Sequence, residues 1–324
     1  MFVLGLQGSP RKGGNTDTFL SAFLDRAAGA GAAVKNIQAA KAGIVPCRGC
    51  GYCEKKGTCV ITDDPMAMEI YGLIRRADLV VAASPVYFYG ISAQLKVLID
   101  RCQTLWSRKY VLKVKDPLAS ERKGLLFSVA ASRGRQLFDG IHLTAKYFFD
   151  AIDARMEHAI TYRGIEAKGA IRKRENWTAD IETAIEKTVI PLVERTRILF
   201  VSPRGACRAP MAAAMAQQRF SDHIRTDFAG MEKTAALDEA MVRCVQETGL
   251  DLGYRRPQSP EEAFFGLAPD LVVVIGDGPE EDPHPDVENL HWSLPAPLPN
   301  DDQSIKALHL QIHANLDQLT KRIR

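Results

Sequence analysis

Four cysteines stand within thirteen residues, CRGCGYCEKKGTC, at Cys47, Cys50, Cys53 and Cys59. The spacing is C-x2-C-x2-C-x5-C, and Gly49, Gly51 and Gly57 ease a tight backbone around it. Thiolates this close can encircle one metal centre, and two C-x2-C steps sharing a cysteine are a spacing used by iron–sulfur proteins. Because the fourth cysteine is local, one [4Fe–4S] cluster is the expected occupant. Zinc, a disulfide-exchange pair and unligated thiols are the other uses this spacing leaves open. Cys102 and Cys244 lie in helical patterns and read as small buried hydrophobes.

Two further stretches place polar groups where a strand turns into a helix. In GSPRKGGNTDTF, residues 8–19, Gly13 and Gly14 permit a tight wrap, Ser9 and Thr16 offer hydroxyls, and Arg11 offers charge. Asn15, Thr16 or Asp17 caps the following helix, and a terminal phosphate suits such a helix start. The stretch is neither a G-x-x-x-x-G-K-[ST] loop nor a G-x-G-x-x-G fingerprint. Further on, SPVYFYGISAQLKVLIDR, residues 84–101, sets three aromatic residues in a row at a strand exit. Pro85, Val86, Tyr87 and Phe88 can cover a flat isoalloxazine ring, and ASRGR at 131–135, with Ser132, Arg133 and Gly134, can wall a third side. Near the middle of the chain, LFVSPRGACRAPMA, residues 199–212, is a second strand–turn–helix cradle for an oxyanion. Its residues are Ser202, Arg204, Gly205, Cys207 and Arg208.

These groups need a scaffold, and the hydrophobic pattern supplies one. Apolar strands are predicted at 2–7, 32–38, 78–84, 124–131 and 156–162, with helices at 16–28, 66–75, 92–105, 143–154 and 178–195. Alternation of this kind means a parallel sheet covered on both faces. The second half repeats it on a smaller scale, with strands at 197–201, 225–230 and 271–276 and helices at 210–220, 236–249 and 304–323. The predicted fold is therefore α/β: a doubly wound parallel sheet over residues 1–195, followed by a smaller α/β parallel-sheet domain over residues 196–324. In a sheet of order 2-1-3-4-5, strands 1 and 3 flank the topological switch point, so the loops after them face each other. The junction has no Gly/Ser/Pro-rich linker, which favours packed domains.

The 324 residues are 46% hydrophobic and 25% charged, an ordinary globular composition. No run approaches the roughly 20 apolar residues of a membrane span, and no secretion signal is visible, so a cytoplasmic protein without a disulfide framework is expected. The net charge of +3 conceals an asymmetry: residues 1–195 carry 29 Lys+Arg against 20 Asp+Glu, and the remainder 13 against 19. A basic first half suits an acidic partner such as a small electron carrier, or simply two solvated surfaces of different ancestry. No basic run with interleaved aromatics points to nucleic acid.

Together, S-P-R-x-x-x-N-T and S-P-V-Y-F resemble the NADPH-dependent FMN reductase family of flavodoxin-like proteins over roughly residues 1–190. That resemblance implies FMN, with Ser9, Arg11, Asn15 and Thr16 at its phosphate and Pro85 to Phe88 at its ring. With the cysteine run added, the first half is similar to iron–sulfur flavoproteins, which implies a homo-oligomer exchanging electrons between cluster and flavin. From about Arg197 the chain resembles low-molecular-weight protein tyrosine phosphatases and arsenate reductases. VSPRGACRAPMA matches V-C-x5-R-S-P-M-A, and HWSLPAP at 291–297 matches H-W-x-L-x-D-P. Active members attack with a loop cysteine and protonate with a distant aspartate. Here those positions hold Ser202 and Ala296, so no phosphatase turnover is expected, although the loop can still hold phosphate, sulfate or arsenate.

The expected function is an FMN-dependent oxidoreductase passing electrons from NAD(P)H or a small carrier through FMN and a [4Fe–4S] cluster to a small acceptor. Two alternatives stand beside it. One is a cluster-free NAD(P)H:quinone or nitro-compound reductase, and the other is a redox or oxyanion sensor using the degenerate second domain.

Overall fold

The structure, a computed structural model, describes residues 1–277, 282–298 and 301–323. Its packing divides the chain into two units, one of Met1–Lys113 with Ala119–Glu194 and one of Val114–Leu118 with Arg195–Arg324.

The first unit is built on five parallel strands: β1 (Phe2–Gln7), β2 (Ala33–Gln38), β3 (Leu79–Pro85), β4 (Lys123–Val129) and β5 (Arg155–Tyr162). Their order is β2-β1-β3-β4-β5, as the alternating pattern predicts. Central strands read as continuous apolar runs because helices cover both faces, and β1 is buried at every position. The edge strands β2 and β5 are only partly buried, which is why their sequences mix charged and apolar residues. Helix α1 (Asn15–Gly29) turns Phe19, Leu20, Phe23, Leu24 and Ala27 towards the sheet at helical spacing. Phe19 stacks on Phe127 of β4 at 4.5 Å between ring centres.

Local residue choice explains the remaining helices. Short α2 (Tyr52–Lys56) lies inside the cysteine run, between left-handed Gly51 and Gly57. A single wide turn, Met66–Ile70, leads into α3 (Tyr71–Arg76). The predicted helix at 92–105 is two, α4 (Ala93–Arg101) and α5 (Gln103–Tyr110), meeting at Cys102. Helix α6 (Asp139–Ala151) starts earlier than its apolar pattern suggests, because its first two residues, Asp139 and Gly140, are exposed. Helices α7 (Trp177–Thr188) and α8 (Ile190–Val193) close this unit.

The second unit has the parallel sheet order β7-β6-β8-β9, from β6 (Thr196–Ser202), β7 (Ile224–Gly230), β8 (Leu271–Gly276) and β9 (Asn289–Ser293). Helix α9 (Arg208–Arg219) is buried along almost its whole length, consistent with its run of alanines and methionines. With α10 (Glu239–Glu247) and α11 (Asp302–Ile323) it covers the face carrying Ile198, Phe200 and Val273. Phe264 and Ala263 cover the opposite face against Leu199, Val201 and Val272. Strand β9 escapes the sequence pattern because, as an edge strand, it is half exposed.

Candidate functional site

At the C-terminal end of the first sheet, the loops after β1 and β3 are tied directly together. The Gly8 N–H donates to Ala83 O at 2.7 Å, and the Ser92 hydroxyl donates to Gly8 O at 2.6 Å. A Cβ on Gly8 would stand 2.8 Å from that of Leu95, so only glycine lets the two loops approach this closely. Ser92 also caps α4, accepting from Leu95 N–H. The switch-point geometry thus depends on one glycine and one serine.

Within the first loop the Asp17 carboxylate fixes the backbone. It accepts from the Gln7 amide at 3.0 Å and from Gly13 N–H at 2.7 Å, while Gln7 accepts from Ser9 N–H. Gly13 takes a left-handed φ of 67°. The first helical hydrogen bond runs from Thr18 N–H to Gly14 O, so the amides of residues 15–17 begin α1 without a helical acceptor. Gly14, the N-cap, has no side chain to satisfy them. Thr16 is only 3% exposed, and its hydroxyl has no hydrogen-bond partner among the described residues.

A cavity of about 210 Å³ opens beside this loop. Ser9, Arg11, Gly14, Asn15 and Thr16 line one end, and Pro85, Val86, Tyr87, Val129 and Ala131 line the apolar part. Ile165, Glu166 and Lys168, from the segment after β5, complete the wall. Phe88, Ser132, Arg133 and Gly134 are not among the lining residues. Ser132 instead accepts from Gly164 N–H through its carbonyl, and Arg133 packs on Gly164. Sequence reasoning did not select Ile165–Lys168, although ligands of open α/β sheets sit outside the strand ends and β5 ends just before them.

The aromatic run forms a two-residue hairpin turn. Tyr87 and Gly90 exchange backbone hydrogen bonds, while Phe88 and Tyr89 take left-handed φ values of 49° and 61°. Such turns favour Asn and Gly, so aromatic residues here store backbone strain of the kind that concentrates at binding sites. Phe88 is 105% exposed, standing entirely clear of the protein.

A phosphorylated flavin fits this cavity. Helix-start amides, the Thr16 hydroxyl and Arg11 meet at the polar end, and an apolar wall suits a flat ring at the other.

The cysteine run is anchored from below. Arg101, fully buried, forms hydrogen bonds to Asp64 at 2.6 and 3.2 Å and donates to Val45 O and Ile61 O. Burial works to raise the Asp64 carboxyl, but the Arg101 guanidinium and the Val45 and Ala67 N–H groups outweigh it and hold it below the usual carboxylate range. Gly57 O accepts from Thr104 and Arg108. The four cysteines line one concavity of about 200 Å³, but three of their sulfurs have separate neighbours. Cys47 accepts from Gly49 N–H and Cys59 from Ile61 N–H, while Cys53 lies beside the Ser107 hydroxyl, each at 3.5 Å. Among the described residues no three Cys, His, Asp or Glu side chains converge to hold a metal ion. The expected [4Fe–4S] cluster on Cys47, Cys50, Cys53 and Cys59 is therefore corrected, and with it the iron–sulfur route for electrons: the spacing brings the cysteines to one surface but does not aim three sulfurs at one point.

In the second unit the loop after β6 curls as its sequence suggests. Gly205, at φ 62°, sits so close to β7 that a Cβ would lie 2.5 Å from Gly230 N. Ser202 is buried and its hydroxyl makes no hydrogen bond among the described residues. Arg208 donates to Asp277 at 3.0 Å and to Leu294 O at 2.7 Å. Ala296 N–H donates to the same Asp277 carboxylate. Burial pushes the Cys207 thiol up to about 12, Asp238 adding to the effect against Arg208. This loop lacks an activated nucleophile, and a methyl group stands where the acid would be.

The NADPH-dependent FMN reductase family model matches residues 1–140, and the low molecular weight phosphotyrosine protein phosphatase model matches residues 197–324. The chain thus joins an N-terminal flavodoxin-like domain of FMN-reductase type to a C-terminal domain of low-molecular-weight-phosphatase type. An iron-sulfur flavoprotein of Methanosarcina thermophila is 37% identical over 133 residues, covering 41% of this chain and 65% of that protein. Another, from Methanocaldococcus jannaschii, is 42% identical over 105 residues, covering 32% of this chain and 53% of the relative. The chain therefore spans only part of the length of these curated relatives. Among solved structures, an arsenate reductase of Archaeoglobus fulgidus is 23% identical with a TM-score of 0.34, covering 38% of this chain and 97% of that one. No helix among the described residues is long and apolar enough to cross a membrane.

Proposed function

We propose that the first domain is an FMN-dependent reductase that moves electron pairs from NAD(P)H to a quinone or nitro compound without a cluster. The carrying observation is the cavity where the loops after β1 and β3 meet, with polar groups at one end and Pro85, Val86 and Val129 at the other. FMN bound there supplies a ring that accepts and returns a hydride. The chain's own work is to hold the phosphate at the start of α1, flank the ring with the Tyr87 turn and keep water from its buried side. To test this, the purified full chain is reconstituted with FMN and mixed with NADPH or NADH and menadione or a nitroarene. Stoichiometric flavin and acceptor-dependent nicotinamide oxidation are expected. A chain that retains no FMN, or retains it and oxidises neither nicotinamide, overturns the proposal.

A second reading concerns the loop at 202–208. Gly205 is left-handed, and the first helical bond, from Met211 N–H to Cys207 O, leaves the Arg208 and Ala209 amides at the start of α9 without a helical acceptor. This supports holding phosphate, sulfate or arsenate without turnover. Calorimetric titration with each oxyanion tests it, and release of phosphate from an aryl phosphate, abolished in Arg208→Ala, would sink the no-turnover part.

A further inference from the structure

The Asn15 side chain is already occupied. Its amide donates to Ala167 O at 2.9 Å, and its carbonyl oxygen accepts from Ile171 N–H at 3.1 Å. Both partners flank Lys168, so Asn15 clamps the segment after β5 across the start of α1. The clamp lays the lysine on the phosphate loop: Lys168 Cε and Nζ lie 2.9 and 3.3 Å from the point a Cβ on Gly13 would take. Gly13 is therefore needed twice, for its left-handed backbone and for the space the lysine fills.

Lys168 also lines the cavity, and among the described residues neither it nor Arg11 pairs with a carboxylate. Glu166 is on the same rim, exposed, and makes no ion pair with either cation. A phosphate monoester carries roughly −1.5 to −2 charges at neutral pH. Arg11 offsets only one of these, and the helix start contributes about half a charge. Thr16, on the same cavity wall, adds a hydroxyl that makes no hydrogen bond among the described residues and so is free for a phosphate oxygen.

We propose that Lys168 is the second cation of the phosphate end of the cavity, that Asn15 acts by positioning it, and that together they select phosphorylated flavin over riboflavin. This rests on the FMN reading above. Neither residue takes part in electron transfer. Lys168 contributes a compact charge on a flexible stem, so arginine should replace it in part.

The deflavinated full chain is titrated with FMN and with riboflavin, following flavin fluorescence, for the wild type, Lys168→Ala, Lys168→Arg and Asn15→Ala. Lys168→Ala is expected to weaken FMN binding about tenfold, one charge-assisted contact's worth, and leave riboflavin binding within about twofold. Lys168→Arg should recover most of the loss, and Asn15→Ala should follow Lys168→Ala. The wild type's FMN affinity should fall more steeply with salt than that of Lys168→Ala. An unchanged FMN-to-riboflavin ratio in Lys168→Ala overturns the charge assignment while leaving FMN binding standing. A weakened Lys168→Ala beside an unaffected Asn15→Ala overturns the clamp. A wild type that binds neither flavin overturns the FMN reading itself. Lys168 is exposed, so its substitution leaves the core intact.

Discussion

The chain contains two strand–loop–helix cradles of the same design, one after β1 and one after β6, and they end in opposite electrostatic states. In the first, Arg11 and Lys168 face the cavity without carboxylate partners, and Asp17 is turned away to hold the loop's own backbone. In the second, Arg208 is taken up by Asp277 and the Leu294 carbonyl. Loop shape therefore does not by itself set how strongly such a loop holds an anion. What decides is whether the fold satisfies the cations internally or leaves them for a ligand.

The two glycines offer the largest expected contrast. Gly205→Ala drives a methyl into the backbone of Gly230 and should destabilise the second unit by about 3 kcal/mol, read as a lowered melting transition. Gly13→Ala meets only the flexible tip of Lys168 and should cost nearer 1 kcal/mol, mainly from its positive φ. Equal losses would mean that the two loops are equally constrained.

Removing the internal carboxylate should make the second cradle behave like the first. Asp277→Asn keeps an acceptor for Ala296 N–H but frees Arg208 of its charge partner, and phosphate or arsenate affinity should rise about tenfold. An unchanged affinity would show that Arg208 does not face the anion. In the first cradle, Thr16→Val preserves volume and removes the unpartnered hydroxyl, and FMN binding should weaken up to about tenfold with little change in melting temperature.

The smallest effect is a pH dependence. Burial holds the Cys207 thiol protonated to about pH 12, so its alkylation should be negligible at pH 8 and accelerate only as pH approaches that value. Exposed Cys47 and Cys50 should label first, which peptide mapping after a brief iodoacetamide pulse can resolve. Fast labelling of Cys207 at pH 8 would mean an activated thiol beside Arg208.

Much of this was legible from residue order. Apolar runs at β1, β3 and β4 could only be buried parallel strands, and the glycine-rich turn and aromatic strand exit marked the two loops that meet. The losses of nucleophile and acid at Ser202 and Ala296 needed no coordinates. Less visible were elements whose partners lie far along the chain. Strand β9 is too exposed to show a continuous apolar pattern. The segment Val114–Leu118 groups with the second unit although it lies within the sequence of the first, tied by Lys115 N–H to Gly249 O and by Asp116 to Arg255.

The amino-acid order by itself determined the two α/β sheets, the position of the loops after β1 and β3 and the loss of the phosphatase nucleophile and acid, because each follows from local periodicity or from the type of one side chain. The tertiary structure decided which groups share a point in space. It brought Lys168 onto Gly13 through Asn15, gave Arg208 to Asp277, and kept the sulfurs of four closely spaced cysteines from converging. Sequence spacing limits how far apart side chains can be, but the direction in which each one points is set by the backbone it stands on and by the hydrogen bonds its neighbours claim first.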